Sequence, residues 1–343
     1  MGTVGIVGLG LIGGSIGLAL KRAKLGDTEL VGYDRDPEVA ARALKFGAVD
    51  RIEYHLPRLA DVAGLVVVAT PIVAVKGVFA DLAPHLRQGA VVTDTASTKG
   101  DVLRWAKETL PRGVHFVGGH PMAGKEQTGP QAAEADLFDG RPYCIIPTVD
   151  AHPGAVNAVM GLAEAVGAVP FFLDAEEHDA YAAAISHVPL VASLALFSLA
   201  RKSNAWPELA AMAGTGFRDL TRLASGSPEM SHDIFLTNKH NLSHWIDRYI
   251  GELLRLKDLI ESDDAEAMYR AIAEVQIERE EFLANPPQRE VPGVALPDLP
   301  SPQQAFLGLL AGSMWTDRAR EMTQSLEDRS KQRDREDRLR RRK

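Results

Sequence analysis

The run Thr3-Val4-Gly5-Ile6-Val7-Gly8-Leu9-Gly10-Leu11-Ile12-Gly13 decides how the first half of this chain folds. Its first five residues are an apolar strand, and the three glycines open a stretch of helical period over residues 15–22. Strand, Gly-x-Gly-x-x-Gly and helix in that order form the setting in which the pyrophosphate of a dinucleotide is held. Gly8 allows the tight turn, Gly10 lets backbone approach the pyrophosphate, and Gly13 lets the helix pack on the strand. The helix start at Leu11 and Ile12 supplies N–H groups to the anion.

Outward from this run, Leu30-Val31-Gly32-Tyr33-Asp34 reads as a second strand ending on an acid. Asp34 lies about twenty residues past the glycines, where a carboxylate bonds both ribose hydroxyls and repels a 2′-phosphate. NAD rather than NADP is therefore expected, with the neighbouring Arg35 softening the discrimination. Strand-like runs recur at 64–69, 90–94, 115–117 and 143–147, separated by stretches of helical period, which predicts a parallel sheet. Thr70-Pro71 follows one of these runs, at the edge where polar loop residues meet nicotinamide. The same edge should carry Asp94-Thr95-Ala96-Ser97-Thr98-Lys99 and His120. His120 itself sits in Gly118-Gly119-His120-Pro121, read as a loop that presents the side chain rather than burying it. A helix and strand over 156–166 and 169–173 close a Rossmann-type doubly wound α/β domain, residues 1–173.

Strands then disappear, and residues 174–290 read as an all-helical domain. Residues 178–200 are apolar and alanine-rich, with Pro189 expected to kink or break the helix and aim His187 into a cleft. Stripes at Ile246, Tyr249, Ile250, Leu253 and Leu254, and at Met268, Tyr269, Ile272 and Val275, are core or subunit faces. A homodimer is expected. Residues 291–343 read as a Pro-rich linker, a short helix over 304–315 and a charged tail over 317–343.

A net charge of −8 argues against general nucleic-acid affinity. The lone cysteine, Cys144, excludes an internal disulfide and a thiolate metal cluster, and its apolar neighbours predict a buried, inert thiol. No metal site is expected. Ile6 stands where myristoylation of Gly2 would need Ser or Thr. The first residues lack a basic flank and cleavage site, and no apolar run reads as long enough to span a membrane, so a cytoplasmic protein is expected.

Taken together, the glycine run, Asp94-x-x-Ser97-x-Lys99, Gly119-His120-Pro121-Met122-Ala123-Gly124, Ser186-His187-x-Pro189 and Gly216-Phe217-Arg218-Asp219-x-Thr221-Arg222 resemble the prephenate dehydrogenases of tyrosine biosynthesis. The resemblance runs from the start to about Phe282. It implies a Rossmann domain joined to a helical dimerisation domain, an active site between them, and NAD-dependent oxidative decarboxylation of prephenate to 4-hydroxyphenylpyruvate. It also implies roles. His120 takes the proton of the substrate 4-hydroxyl, Ser97 orients His120 and touches the hydroxyl, His187 faces the substrate side chain, and Arg222 binds a carboxylate. Arg218 and Asp219 are implied as a structural ion pair outside the catalytic set. Lys125, Leu190 and Ser231 differ from the residues common in the family and border the side chain that separates prephenate from arogenate, in which an amine replaces the keto group. The family's regulatory ACT module does not fit the short, charged tail. Arogenate dehydrogenase is the alternative reading. A β-hydroxyacid dehydrogenase would need a lysine near His187, and a nonenzymatic NAD sensor would need the glycine run alone.

Overall fold

The structure is a computed structural model and describes residues 2–287 together with Phe306 and Gly308. Apolar runs that read as continuous rather than alternating become strands buried on both faces, and Leu65, Val66 and Val67 are fully buried. In order these elements are β1 (Thr3–Val7), α1 (Leu11–Arg22), β2 (Glu29–Tyr33), α2 (Pro37–Lys45), β3 (Arg51–Ile52), α3 (Leu56–Val62), β4 (Leu65–Val68), α4 (Val75–Leu82), β5 (Val91–Asp94), α5 (Gly100–Thr109), β6 (His115–Pro121), β7 (Pro142–Pro147), α6 (Pro153–Ala165) and β8 (Val169–Phe172). They build one eight-stranded sheet in the order β3-β2-β1-β4-β5-β6-β7-β8. Ile16, Ala43 and Val159, from α1, α2 and α6, pack on one face. Leu59, Phe79 and Val102, from α3, α4 and α5, pack on the other.

Three local expectations are corrected. The two-residue strand β3 was not legible, because Arg51 and Ile52 give too short a run to show a period. The sheet is not wholly parallel: β7 runs antiparallel to β6, with His120 opposite Cys144. A parallel return needs a crossover that is usually helical, and only the three-residue 3-10 turn Pro130–Ala132 forms between these strands, where Gly124, Gly129 and Gly140 interrupt any helical period. His120, finally, belongs to the end of β6 and is buried, not presented on a loop. Cys144 is buried as expected, and burial pushes its thiol up to about 11.

The helical half begins with α7 (Ala175–Ala182), capped by Asp174, whose side chain accepts from Glu177 N–H. A π-turn (Ala183–His187) follows and runs into α8 (Val188–Arg201). Pro189 lacks an N–H and its ring crowds the carbonyl four residues back, and the wide turn just ahead of it accommodates both effects. Pro189 thus widens the helix instead of ending it. The continuous 27-residue rod Ala175–Arg201 is long and apolar enough to cross a membrane by length and composition alone, which corrects the expectation that no run reaches that length. It nevertheless carries buried His178, Asp179 and His187, all hydrogen-bonded within the protein. The chain continues through α9 (Trp206–Met212), α10 (Thr215–Thr221), a 3-10 turn (Arg222–Ser225), α11 (Pro228–Thr237), α12 (Lys239–Glu261) and α13 (Ala265–Ala284).

The stripe from Ile246 to Leu254 lies on α12, which a break at Asn238 separates from α11. The α11 side of that break docks on the nucleotide-binding half. Ile234 is buried in the α3–α5 core. Asp233 Oδ2 accepts from Val73 N–H at 3.1 Å, and the hydroxyls of Thr98 and Thr237 are 2.8 Å apart. Phe306 is buried in the core built on β1, α1 and α6. The expected linker and helix over 291–315, those two residues aside, and the tail over 317–343 lie outside the described residues.

Candidate active site

The carboxyl ends of β1, β4, β5 and β6 bring the candidate residues to one edge of the sheet, at the place where strand order reverses. At Gly8, φ is +91° and an added Cβ would stand 2.5 Å from the carbonyl oxygen of Ala69. A Cβ on Gly13 would stand 1.9 Å from the Gly8 carbonyl oxygen, whereas a Cβ on Gly10 would meet nothing within 4 Å. The turn is therefore tight at its ends and open at its centre, which fits a pyrophosphate approaching Gly10 and the first N–H groups of α1 at Leu11 and Ile12. Asp34, directly after β2, is fixed by two backbone donors: Leu9 N–H on Oδ2 at 2.8 Å and Asp36 N–H on Oδ1 at 2.9 Å. Lone pairs remain on both oxygens for a ribose diol. Thr70 Oγ1, beside Pro71 after β4, is buried and has no hydrogen-bond partner among the described residues. These features suit NAD. The described residues contain no group of three or more metal-ligating side chains.

Next to this edge lies a buried polar network. Lys99 and Asp94 form an ion pair with no exposure, and burial pulls the ammonium down while Asp94 opposes it. Both clamp Gly119: Lys99 Nζ donates to its carbonyl at 2.7 Å, and its N–H donates to Asp94 Oδ1 at 3.1 Å. A Cβ on Gly119 would stand 2.6 Å from the Asp94 carbonyl oxygen. The close approach that fixes the peptide before His120 thus requires glycine.

His120 Nδ1 lies 2.9 Å from His178 Nε2, and His178 Nδ1 lies 2.8 Å from Asp179 Oδ1. Asp179 also accepts from Lys99 N–H at 2.7 Å and Gly100 N–H at 2.9 Å, which ties the first helix of the second half to the start of α5. One order of protons along these contacts makes His120 an acceptor on its outer nitrogen. A carboxylate only accepts, so His178 carries a proton on Nδ1 toward Asp179; in the order where its Nε2 accepts from His120 Nδ1–H, His120 Nε2 keeps a lone pair. Burial, reinforced by His178, Lys99 and His187, holds the His120 pKa well below the ordinary imidazole value. His120 is a neutral acceptor backed by a second histidine and a carboxylate. Its orienting bond comes from His178, not from Ser97, which is half-buried on the loop after β5.

His187 is fully buried, and burial lowers its pKa to about 4. Its Nδ1 faces Asn238 Nδ2 at 3.2 Å, and its Nε2 has no partner among the described residues. Arg222, in the 3-10 turn after α10, is largely exposed and pairs with Glu126 on the loop after β6. Lys125, one residue earlier, pairs with Glu134. Ser231 donates to the Ser227 carbonyl at 3.0 Å on α11, and Leu190 is buried on α8. Arg218 and Asp219 are both exposed on α10, and among the described residues the ion pair at this edge is Arg222 with Glu126. The sequence reading missed His178, Asp179, Asn238 and Glu126. The adjacent His178-Asp179 pair at the head of the second half was a usable signal, since a carboxylate beside an imidazole fixes its tautomer.

Residues 16–171 match the family described as prephenate dehydrogenase, nucleotide-binding domain, and residues 174–274 match prephenate dehydrogenase, dimerization domain. The chain is 36% identical over 271 residues to prephenate dehydrogenase of Bacillus subtilis (strain 168), covering 78% of this chain and 72% of that protein. It superposes with a TM-score of 0.77 and 32% identity on prephenate dehydrogenase of A. aeolicus, solved with hydroxyphenyl propionate and NAD+, over 82% of this chain and 98% of that one. Arogenate dehydrogenase of Synechocystis gives a TM-score of 0.69 at 29% identity, over 82% of this chain and 99% of that one. Both halves of the fold, the glycine turn and the sequence similarity agree: the chain belongs to the prephenate dehydrogenase family of oxidoreductases.

Proposed function

We propose that this protein converts prephenate to 4-hydroxyphenylpyruvate by NAD-dependent oxidative decarboxylation. The observation that carries the reading is buried His120 with its Nδ1 2.9 Å from His178 Nε2 and His178 Nδ1 2.8 Å from Asp179 Oδ1, an arrangement in which His120 Nε2 can accept a proton. NAD, when bound, accepts the hydride that leaves C4 of the substrate. His120 Nε2 takes the 4-hydroxyl proton as C4 becomes ketone-like, and the imidazolium so formed is stabilised through His178 by the Asp179 carboxylate. Loss of carbon dioxide makes the ring aromatic, so the step is driven by the substrate and the protein mainly positions it. Ser97 touches the hydroxyl, Arg222 grips a carboxylate as a planar fork, and Lys125 and Ser231 border the side chain. Gly8, Gly10, Leu11, Ile12, Gly13, Asp34, Thr70 and Pro71 hold the cofactor.

The apolar residues exposed on α12 and α13, Tyr249, Leu253 and Ile272 among them, support a homodimer through the helical half, with the enzyme working in the cytoplasm. Arogenate is the second reading, supported by the likeness to the Synechocystis enzyme. Purified protein given NAD and prephenate should yield NADH and 4-hydroxyphenylpyruvate. Absence of NADH and of aromatic product with both prephenate and arogenate would overturn the proposal.

A further inference from the structure

Asn238 stands at the break between α11 and α12, buried, with three polar neighbours. Its Nδ2 lies 2.7 Å from the Asp179 carbonyl oxygen and 3.2 Å from His187 Nδ1, while its Oδ1 accepts from Asn241 Nδ2 at 2.9 Å. A backbone carbonyl only accepts, so the atom facing Asp179 must be the amide NH2, and the orientation of Asn238 is settled. The second proton of that NH2 points at His187 Nδ1. An amide nitrogen cannot accept, so Nδ1 must hold a lone pair there. In neutral imidazole the proton then sits on Nε2. That Nε2 is buried without a partner among the described residues, although buried donors in folded proteins are nearly always paired. Burial keeps the ring neutral, and Asn238 links it through Asp179 to the His178–His120 pair.

We infer that Asn238 is a specificity-determining positioning residue: it locks His187 in the tautomer whose Nε2–H donates to the keto oxygen of the substrate side chain. The inference rests on the proposed oxidation of a cyclohexadienol carrying that side chain, and it names the group that chooses between keto and amino forms. A keto oxygen only accepts, and it completes the orphaned donor. The ammonium of arogenate only donates, so it would meet Nε2–H donor to donor, a mismatch that buried sites reject strongly. His187 touches substrate, whereas Asn238 acts through it.

The test begins with full-length protein labelled with 15N at histidine, the His187 signals being assigned by comparison with H187Q. At neutral pH, His187 should show a protonated, pyrrole-type Nε2 and an imine-type Nδ1. The opposite tautomer, or a charged ring, would overturn the lock whatever any variant does. The second arm compares kcat/KM for prephenate and for arogenate. Wild type should favour prephenate, and Asn238→Asp, whose carboxylate draws the proton to Nδ1, should lower the prephenate-to-arogenate ratio by about tenfold or more. An unchanged ratio in folded, active N238D, or a wild-type preference for arogenate with the Nε2–H tautomer present, would also overturn it. Failure of wild type to turn over either substrate is a different result: it removes the proposed function and leaves the tautomer measurement standing by itself.

Discussion

His120 and His178 meet edge-on, with ring planes at 71° and nitrogens 2.9 Å apart, in a region closed to solvent. The contact joins the nucleotide-binding half to the helical half at the reacting centre, so the base is complete only when both halves are docked. His120→Asn should lower kcat by about 10²–10⁴-fold, the range for a lost general base, with NAD affinity little changed. His178→Gln should lower it by about 10²-fold, because His120 loses the partner that fixes its tautomer. Steady-state kinetics alongside NAD titration measures both effects. Wild-type turnover in H120N would remove His120 from proton transfer.

The same burial makes folding sensitive to acid. The pKa of His187 falls from 6.5 to about 4, and that of His120 also falls well below the ordinary value. Between the folded and unfolded pKa values the unfolded chain binds more protons, so the stabilisation is fully present above about pH 6.5 and is lost as pH falls through the folded values. For His187 that window runs from about 6.5 down to about 4, and the loss is on the order of 3 kcal/mol. Urea midpoints measured across it should fall with pH in wild type and fall less in H187Q. Parallel curves for the two proteins would contradict this.

Asp34→Asn keeps an acceptor for Leu9 N–H and removes the charge that faces a 2′-phosphate. The kcat/KM ratio of NADP to NAD should rise by at least about tenfold, since like charges held together cost several kcal/mol. If D34N binds NAD normally and still rejects NADP as wild type does, the carboxylate is not the discriminator.

Arg222→Gln should act on binding. Losing a charge-assisted bond to a carboxylate should raise KM by about tenfold to a hundredfold with a smaller change in kcat. Initial-rate measurements over a range of prephenate concentration separate the two, and an unaltered KM would count against the carboxylate role.

For the helical half, sedimentation equilibrium should give twice the chain mass, and Leu253→Glu on the exposed face of α12 should shift it toward the monomer. A monomeric wild type at micromolar concentration would refute dimerisation through this face.

The glycine run and the acid at the end of β2 were readable because strand, turn and helix are local and each glycine has a local steric reason. His120, His187 and Arg222 stand out as candidates through their motifs, but their surroundings do not. His178 meets His120 across 58 positions of sequence, and Asn238 meets His187 across 51, so neither pair leaves a periodic or adjacent trace. The antiparallel turn into β7 escaped for a related reason: whether a glycine-rich stretch crosses over or doubles back is decided by the partner strand. Burial of His120 was misread because Gly119 and Pro121 suggest a loop, whereas Gly119 serves the close approach to the Asp94 carbonyl.

The π-turn at Ala183–His187 makes the site depend on residue count as well as residue identity. His178 and His187 are nine positions apart, and on an unbroken α-helix that spacing would turn them about 180° away from each other. One residue accommodated in a wide turn removes about 100° of that rotation and brings the two imidazoles toward a shared side. Substituting Ala184 for another small residue leaves this phase intact. Adding one residue on regular helix between the two histidines would retain every proposed catalytic side chain and turn them about 100° further apart, so in this stretch an insertion is a graver change than a substitution.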